Sequence, residues 1–397
     1  MNHMPTIPEG YEPLGESVHK APESAPMARF RASPFVWVDP IKIDPRAFVY
    51  ARHFIRKFVC LTIAPGGLGK STLLMTEGLS MVTGRSLLGR EVSGKLRVWL
   101  WNLEDPADEL SRRIQAICQH FDISEADIGD RLFVDTGREQ ELCMAVPGKN
   151  GATILEPVVE NLVSEIQRNN IDVLIVDPFI SSHQLDENNN VQMDTVTKAW
   201  GRVADRCNIS IALVHHTRKQ SGDTETNADS ARGAKALVDG ARDVRCLTRM
   251  TSEEAETAGV DNHRSYFRVY SDKANLAPPS ENSEWYRLEN VTLANGDYVG
   301  VVEPWKWPDP FEELTTAHLA RVQIALNGKK YRENIQSSEW AGHAISEILG
   351  LDSHDPADRK KIKSCLRTWM KNGALKRGKM VDDYGKERPI IEVGEWA

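Results

Sequence analysis

The sequence predicts an α/β protein with a mainly parallel sheet, followed by a small α+β domain patterned as a winged helix-turn-helix. Short apolar runs alternate with helical patterns from about Phe35 to Glu303. Two of those runs, Val173–Val176 and Ile209–Val214, are apolar at nearly every position, as strands buried on both faces require. The C-terminal part then changes to three helical patterns and a hairpin. A chain of 397 residues exceeds one core, so more than one domain is expected, and its 41% hydrophobic share suffices to pack them.

In chain order, residues 1–34 set Pro5, Pro8, Pro13, Pro22 and Pro26 among Glu and Ser, and read as a flexible arm. Strand patterns follow at Lys57–Ile63, Leu96–Asn102, Leu132–Val134, Ile171–Asp177 and Ile209–Val214. Helical patterns begin at Leu73, Pro106, Glu156 and Asp194. After Ala234 the chain turns strand-rich at Val244–Thr248, Tyr266–Tyr270, Trp285–Leu293 and Val299–Val302, with an Asn295-Gly296 hairpin turn. These strands should extend the sheet on its far edge, completing a domain over residues 35–303. Prolines 304, 308 and 310 mark a linker at 304–312. Residues 313–397 show helical patterns at Thr315–Leu326, Glu339–Leu349 and Ala357–Asn372, then strand patterns at Leu375–Val381 and Pro389–Val393. In the third helix Ile362, Cys365, Leu366, Trp369 and Met370 share one face, and Lys360, Lys361, Lys363, Arg367 and Lys371 the other.

Net charge is −8, but Asp355–Arg388 carries eleven Lys or Arg against five Asp or Glu. With Lys376 and Arg377, the third helix therefore offers the chain's polyanion-binding surface. No apolar run approaches membrane-spanning length, and Met1–Gly15 has neither a basic start nor an apolar core, so a cytoplasmic protein without membrane association is expected. The six cysteines form no CxxC pair and read as reduced packing residues rather than metal ligands.

Chemistry concentrates at strand ends. Ala64-Pro65-Gly66-Gly67-Leu68-Gly69-Lys70-Ser71-Thr72 joins an apolar strand to a helix. Its glycines let backbone N–H groups approach an anion, Lys70 reaches β- and γ-phosphates, and the Ser71 hydroxyl suits Mg²⁺, so ATP with Mg²⁺ is the expected ligand. Ala64 stands where the usual pattern opens with Gly. Glu104 and Asp105 follow another strand, expected to neighbour that of the phosphate loop; Glu104 suits activation of the attacking water and Asp105 suits capping the helix that opens at Pro106. Asp177, at the C-terminal end of an apolar strand, suits holding Mg²⁺ through water. His216, in His215-His216-Thr217, suits contact with a γ-phosphate. Arg242, with Arg232 as its rival, suits delivery from a neighbouring subunit to transition-state charge.

Together the phosphate loop, Glu104-Asp105, Val176-Asp177-Pro178, His215-His216-Thr217-Arg218-Lys219 and Ala231-Arg232-Gly233-Ala234 with Val238–Arg242 resemble the RecA-like ATPases of the RepA type, hexameric replicative helicases of plasmids with relatives in phages. The resemblance covers roughly Phe35–Glu303. It implies a ring of six subunits with nucleotide held between them and single-stranded DNA in the channel. Lys70 and Ser71 would bind phosphate and Mg²⁺, Glu104 would be the base, Asp177 the second metal residue, His216 the γ-phosphate sensor and Arg242 the finger in trans. The loops Ser181–Met193 and Gln220–Asp229 would face the DNA; neither contains Lys or Arg. The winged domain goes beyond a minimal helicase and suggests duplex contact. Two other readings fit the residues, a DNA-binding regulator whose ATPase controls assembly and an ATP-dependent scaffold.

Overall fold

The computed structural model describes residues 31–149, 151–217, 235–276, 283–308, 314–382 and 385–397. The chain divides into two compact units, with the boundary between Pro45 and Arg46. In the first, the described residues contain one 3₁₀ turn, Pro40–Lys42, started by Pro40 and by Asp39, which accepts the Ile41 N–H at 3.1 Å. The large unit therefore begins at Arg46 rather than near Phe35. Pro34, Pro40 and Pro45 deny the intervening residues a continuous strand ladder.

The second unit opens with a small antiparallel pair, β1 (Phe48–Tyr50) and β2 (Phe54–Ile55). The alternating region follows as β3 (Val59–Pro65), α1 (Lys70–Thr83), β4 (Val98–Asn102), α2 (Ala107–His120), α3 (Glu125–Ile128) and β5 (Leu132–Thr136). A short hairpin, β6 (Ala145–Gly148) and β7 (Gly151–Ile154), precedes α4 (Glu156–Arg168), β8 (Val173–Asp177), α5 (Asn190–Cys207) and β9 (Ser210–Thr217). Next come α6 (Lys235–Gly240), β10 (Asp243–Arg249), α7 (Ser252–Ala258), β11 (Tyr266–Ala274), β12 (Glu284–Thr292) and β13 (Tyr298–Trp305).

Nine of these strands form one sheet in the order β13-β12-β11-β10-β3-β9-β8-β4-β5. Pairing is parallel from β10 through β5 and antiparallel from β10 to β13. Consequently β4, which leads to Glu104, does not neighbour β3 as expected; β9 and β8 lie between them. Side chains alternate across the parallel part. Leu61, Leu174, Ile211 and Leu213 enter the core shared with α4, α5 and α6, whereas Cys60, Val173, Ile175 and Ala212 enter the core shared with α1 and α2. Both faces being covered, these strands carry almost no polar side chains.

The antiparallel strands do extend the sheet beyond β10, but they curl back. β13 packs on α1 and α2, so α1 lies between the sheet and the hairpin and is buried almost all round. That enclosure buries Glu77 of α1, which is matched by Arg245 of β10 through two hydrogen bonds of 2.6 Å. β13 also runs into the expected linker, with Pro304 paired to Tyr286. An edge strand tolerates proline because one side of its backbone needs no partner.

The C-terminal part comprises α8 (Thr316–Leu326), α9 (Ala341–Leu349), α10 (Pro356–Lys371) and the antiparallel pair β14 (Leu375–Val381) and β15 (Glu387–Val393). Val322, Trp340, Ile345, Ile362, Cys365, Trp369, Leu375 and Ile391 form its core. α10 also touches α7, and the Lys360 ammonium donates to the carboxylate of Asp261, just after α7, at 3.0 Å.

Candidate functional site

The parallel register brings the predicted chemistry to one edge. Ala64 is level with His216, and Asp177 with Asn102, so β3, β9, β8 and β4 all end on the same side of the sheet. The phosphate loop turns there through Gly67 (φ 73°) and Gly69 (φ 89°), conformations that a side chain would strain, and Gly69 passes directly into α1. A Cβ on Gly66 or Gly67 would meet no atom within 4 Å, so the space beside these two residues is open.

Lys70 is 4% exposed and its Nζ lies 3.1 Å from His216 Nδ1. Because the ammonium donates, Nδ1 accepts, and the ring proton sits on Nε2, 3.9 Å from Asp177 Oδ1. Nε2 is buried and makes no hydrogen bond among the described groups. Burial lowers the Lys70 pKa, against the opposing pull of Asp177 and Glu104. A buried cation beside an open backbone turn, with no carboxylate of the described residues in direct contact, fits an anionic phosphate chain and, through Ser71 and Asp177, its Mg²⁺. Among the described residues no group of three or more His, Cys, Asp and Glu is placed to hold a metal ion, and all six cysteines are free.

The carboxylates after β4 divide differently from the expectation. Asp105 does not cap α2: Pro106 occupies the N-cap without a side-chain bond, and Asp105 instead accepts from Arg113 at 2.7 Å. The Asn102 side chain shapes this turn, accepting the N–H groups of Glu104 at 3.0 Å and Asp105 at 2.7 Å. Glu104 is left exposed, with its charge felt at Lys70.

Two histidines behind the site are buried and neutral. Desolvation pushes His215 down to about 4, with His216, His183 and Lys70 adding to it, and desolvation alone pushes His183 down to about 4. His183 lies in the expected channel loop, yet Ser182, His183, Leu185 and Met193 are all buried, and α5 already begins at Asn190. The tip around Asp186–Val191 stays largely in solvent, as do Ser181 and Gln184, while Ser182, His183 and Leu185 anchor the loop.

Arg242 lies elsewhere. Its N–H donates to Val59 O at 3.1 Å at the start of β3, and its guanidinium sits 5.8 Å from the Phe58 ring centre. The length of β3 separates it from its own phosphate loop by about 20 Å, at ~3.3 Å per residue. It therefore cannot serve the loop of its own chain. Arg232, Lys219 and the Gln220–Asp229 loop lie outside the described residues.

Three contributors escaped sequence reading. Arg249, at the end of β10, donates to Gly67 O at 3.0 Å. Arg112 of α2 and the β12–β13 hairpin, joined by an Arg112 Nε to Asp297 Oδ2 bond of 2.9 Å, wall a cavity of about 530 Å³ that also includes Gly67, Gly69, Ser71 and Thr72. Such contacts depend on strand order and curl, which no local pattern encodes; only the position of Arg249 at a strand end carried a signal.

The C-terminal cations also divide. Lys360 and Lys361 are half-buried, and Lys360 is held by Asp261, so the basic face does not point outward along its whole length. Arg377 pairs with Glu333, and Lys376 lies 4.0 Å from Glu392. Lys363, Arg367 and Lys371 are exposed at four-residue intervals along α10.

In comparison with known proteins, the family profile described as AAA domain matches residues 24–222. A solved structure described as the RadB recombinase is similar with a TM-score of 0.40 and 14% identity, over 64% of this chain and 93% of that one. With half of its length matched by that profile, the chain belongs to the AAA-domain family.

Proposed function

We propose that this protein is an oligomeric, ATP-hydrolysing motor acting on DNA, of the RepA-like replicative helicase type. The carrying observation is the convergence at one sheet edge of a buried Lys70, its 3.1 Å contact with His216, the buried Asp177 and the exposed Glu104. In this reading Lys70 and the loop N–H groups neutralise the phosphates, and Ser71 and Asp177 hold Mg²⁺. Bound Mg²⁺ supplies charge neutralisation at the transferred phosphoryl group. Glu104 polarises the attacking water. His216, in contact with Lys70, registers whether a γ-phosphate competes for the Lys70 ammonium. Arg242 would act on the site of the next subunit, a role supported by its distance from its own loop, and Arg232 remains its rival. The hexameric ring and a single strand at the Asp186–Val191 tips belong to the same proposal.

A second reading, a duplex-binding regulator whose ATPase controls assembly rather than DNA contact, is favoured by the exposed Lys363, Arg367 and Lys371 on α10. Three helices and a two-stranded pair have the composition of a winged helix, in which such a helix enters the major groove. ATP turnover measured without DNA, with single-stranded DNA and with duplex separates the readings. The motor requires stimulation by single-stranded DNA, strand separation, and loss of both in Lys70→Ala. Duplex binding indifferent to ATP, without strand separation, would leave only the second reading.

A further inference from the structure

Arg242 is presented by the start of β10, and what aims it lies on the other face of that strand. β10 runs level with β3, Asp243 beside Cys60 and Val244 beside Leu61. Leu61 and Val244 enter the core shared with α4, α5 and α6, and Cys60 enters the core shared with α1 and α2. Successive side chains of a strand point to opposite faces, so Asp243 points to the α1 side and Arg242 to the α5 side. There Arg242 is exposed, beside a cavity that it lines with Thr197 and Gly201 of α5. Fixing Asp243 therefore fixes the direction in which Arg242 leaves the sheet.

Asp243 is held by His53, from the turn between β1 and β2. His53 Nδ1 donates to Asp243 Oδ1, and both side chains are buried. The ring stands edge-on to Phe54 with 5.1 Å between ring centres, and Phe54 belongs to the core on the α1 side. Burial and the nearby Arg245 hold the His53 pKa below its ordinary value, against the pull of Asp243, so a neutral ring holds the carboxylate. A buried carboxylate with an uncharged partner is a costly core contact. Nor does close packing dictate it, because the pair borders a cavity of about 590 Å³ that also touches Tyr50, Glu77, Arg245 and Ser271. What the hydrogen bond supplies here is direction.

We propose that His53 is a positioning residue for Arg242, acting through Asp243 to hold the guanidinium toward the nucleotide site of a neighbouring copy. The inference rests on the reading of Arg242 as the arginine delivered in trans. Misplacing a catalytic group by about 1 Å costs up to ~10²-fold in rate, so loss of this hydrogen bond should be visible in turnover.

Mixed oligomers of full-length chains separate positioning from folding. A Lys70→Ala chain contributes only its arginine and an Arg242→Ala chain only its phosphate loop, so His53→Leu can be placed on either side of the shared site. On the arginine-contributing chain it should lower ATP turnover of the mixture by ~10-fold or more. On the loop-contributing chain it should leave turnover unchanged. His53→Asn, whose amide can donate from the position of Nδ1, should restore turnover on the arginine-contributing chain. His53→Phe keeps a ring without a donor; it should behave as His53→Leu, and takes its place if the leucine variant does not fold. Equal losses from both sides, or none from either, would overturn the positioning role. A mixture of Lys70→Ala and Arg242→Ala chains that regains no turnover with His53 intact would instead overturn the shared site, and the inference with it.

Discussion

At the scale of single residues, the site depends on burying groups that prefer water. Among the described residues Lys70 is kept inside without a contacting carboxylate, and His183 and His215 are kept inside uncharged. The histidines carry a cost that depends on pH. An unfolded histidine titrates near 6.5, whereas these two titrate at about 4, so between those values the unfolded chain binds protons that the native chain refuses. Stability is therefore complete above about pH 6.5 and is lost as the pH falls toward 4, by up to ~3 kcal/mol per histidine. Melting temperatures should fall between pH 7 and 5, and His183→Gln should flatten that fall; an unchanged slope would mean the ring is protonated in place. His215 faces His216, His183, Lys70 and Glu187, and its contact with Glu187 is 3.6 Å. His216 and Asp177 were legible in the sequence because each ends an apolar run. The role of Asp105 was not, since a distant Arg113 on the next helix outcompetes local capping.

At the scale of elements, the strands were legible because two-sided burial writes apolar runs into the chain. Their order was not, because β3 and β4 are separated by strands that come later in sequence. Nor does any periodicity reveal that β12 and β13 fold back over α1. Glu77 carried the hint: a carboxylate inside a helix otherwise lined with Leu and Met needs a buried partner, which Arg245 supplies. Amphipathicity located α10, yet its packing against α7 decides which of its cations are available. If Lys363, Arg367 and Lys371 meet duplex phosphates, neutralising all three by alanine should weaken binding across sequences. It should also reduce the slope of log affinity against log salt by ~0.9 for each phosphate that is no longer neutralised. An unchanged slope in a salt titration would exclude α10 as the DNA-binding surface.

At the scale of the whole molecule, the phosphate loop and Arg242 stand at opposite ends of β3. Under the proposed function, each chain would present half of a site at either end of β3, completed by a neighbouring copy. The sequence suggested this division only through resemblance; the parallel register of β10 with β3, level at Asp243 and Cys60, places Arg242 at the start of β3, away from the phosphate loop. Lys70→Ala and Arg242→Ala proteins should each fail to hydrolyse ATP, the second while still binding it. Steady-state ATP hydrolysis by a mixture of the two is the most direct test. The mixture should regain a substantial part of wild-type turnover, since an intact loop from one variant meets an intact arginine from the other. Turnover by Arg242→Ala alone, or a mixture as inactive as its parts, would contradict a site shared between subunits.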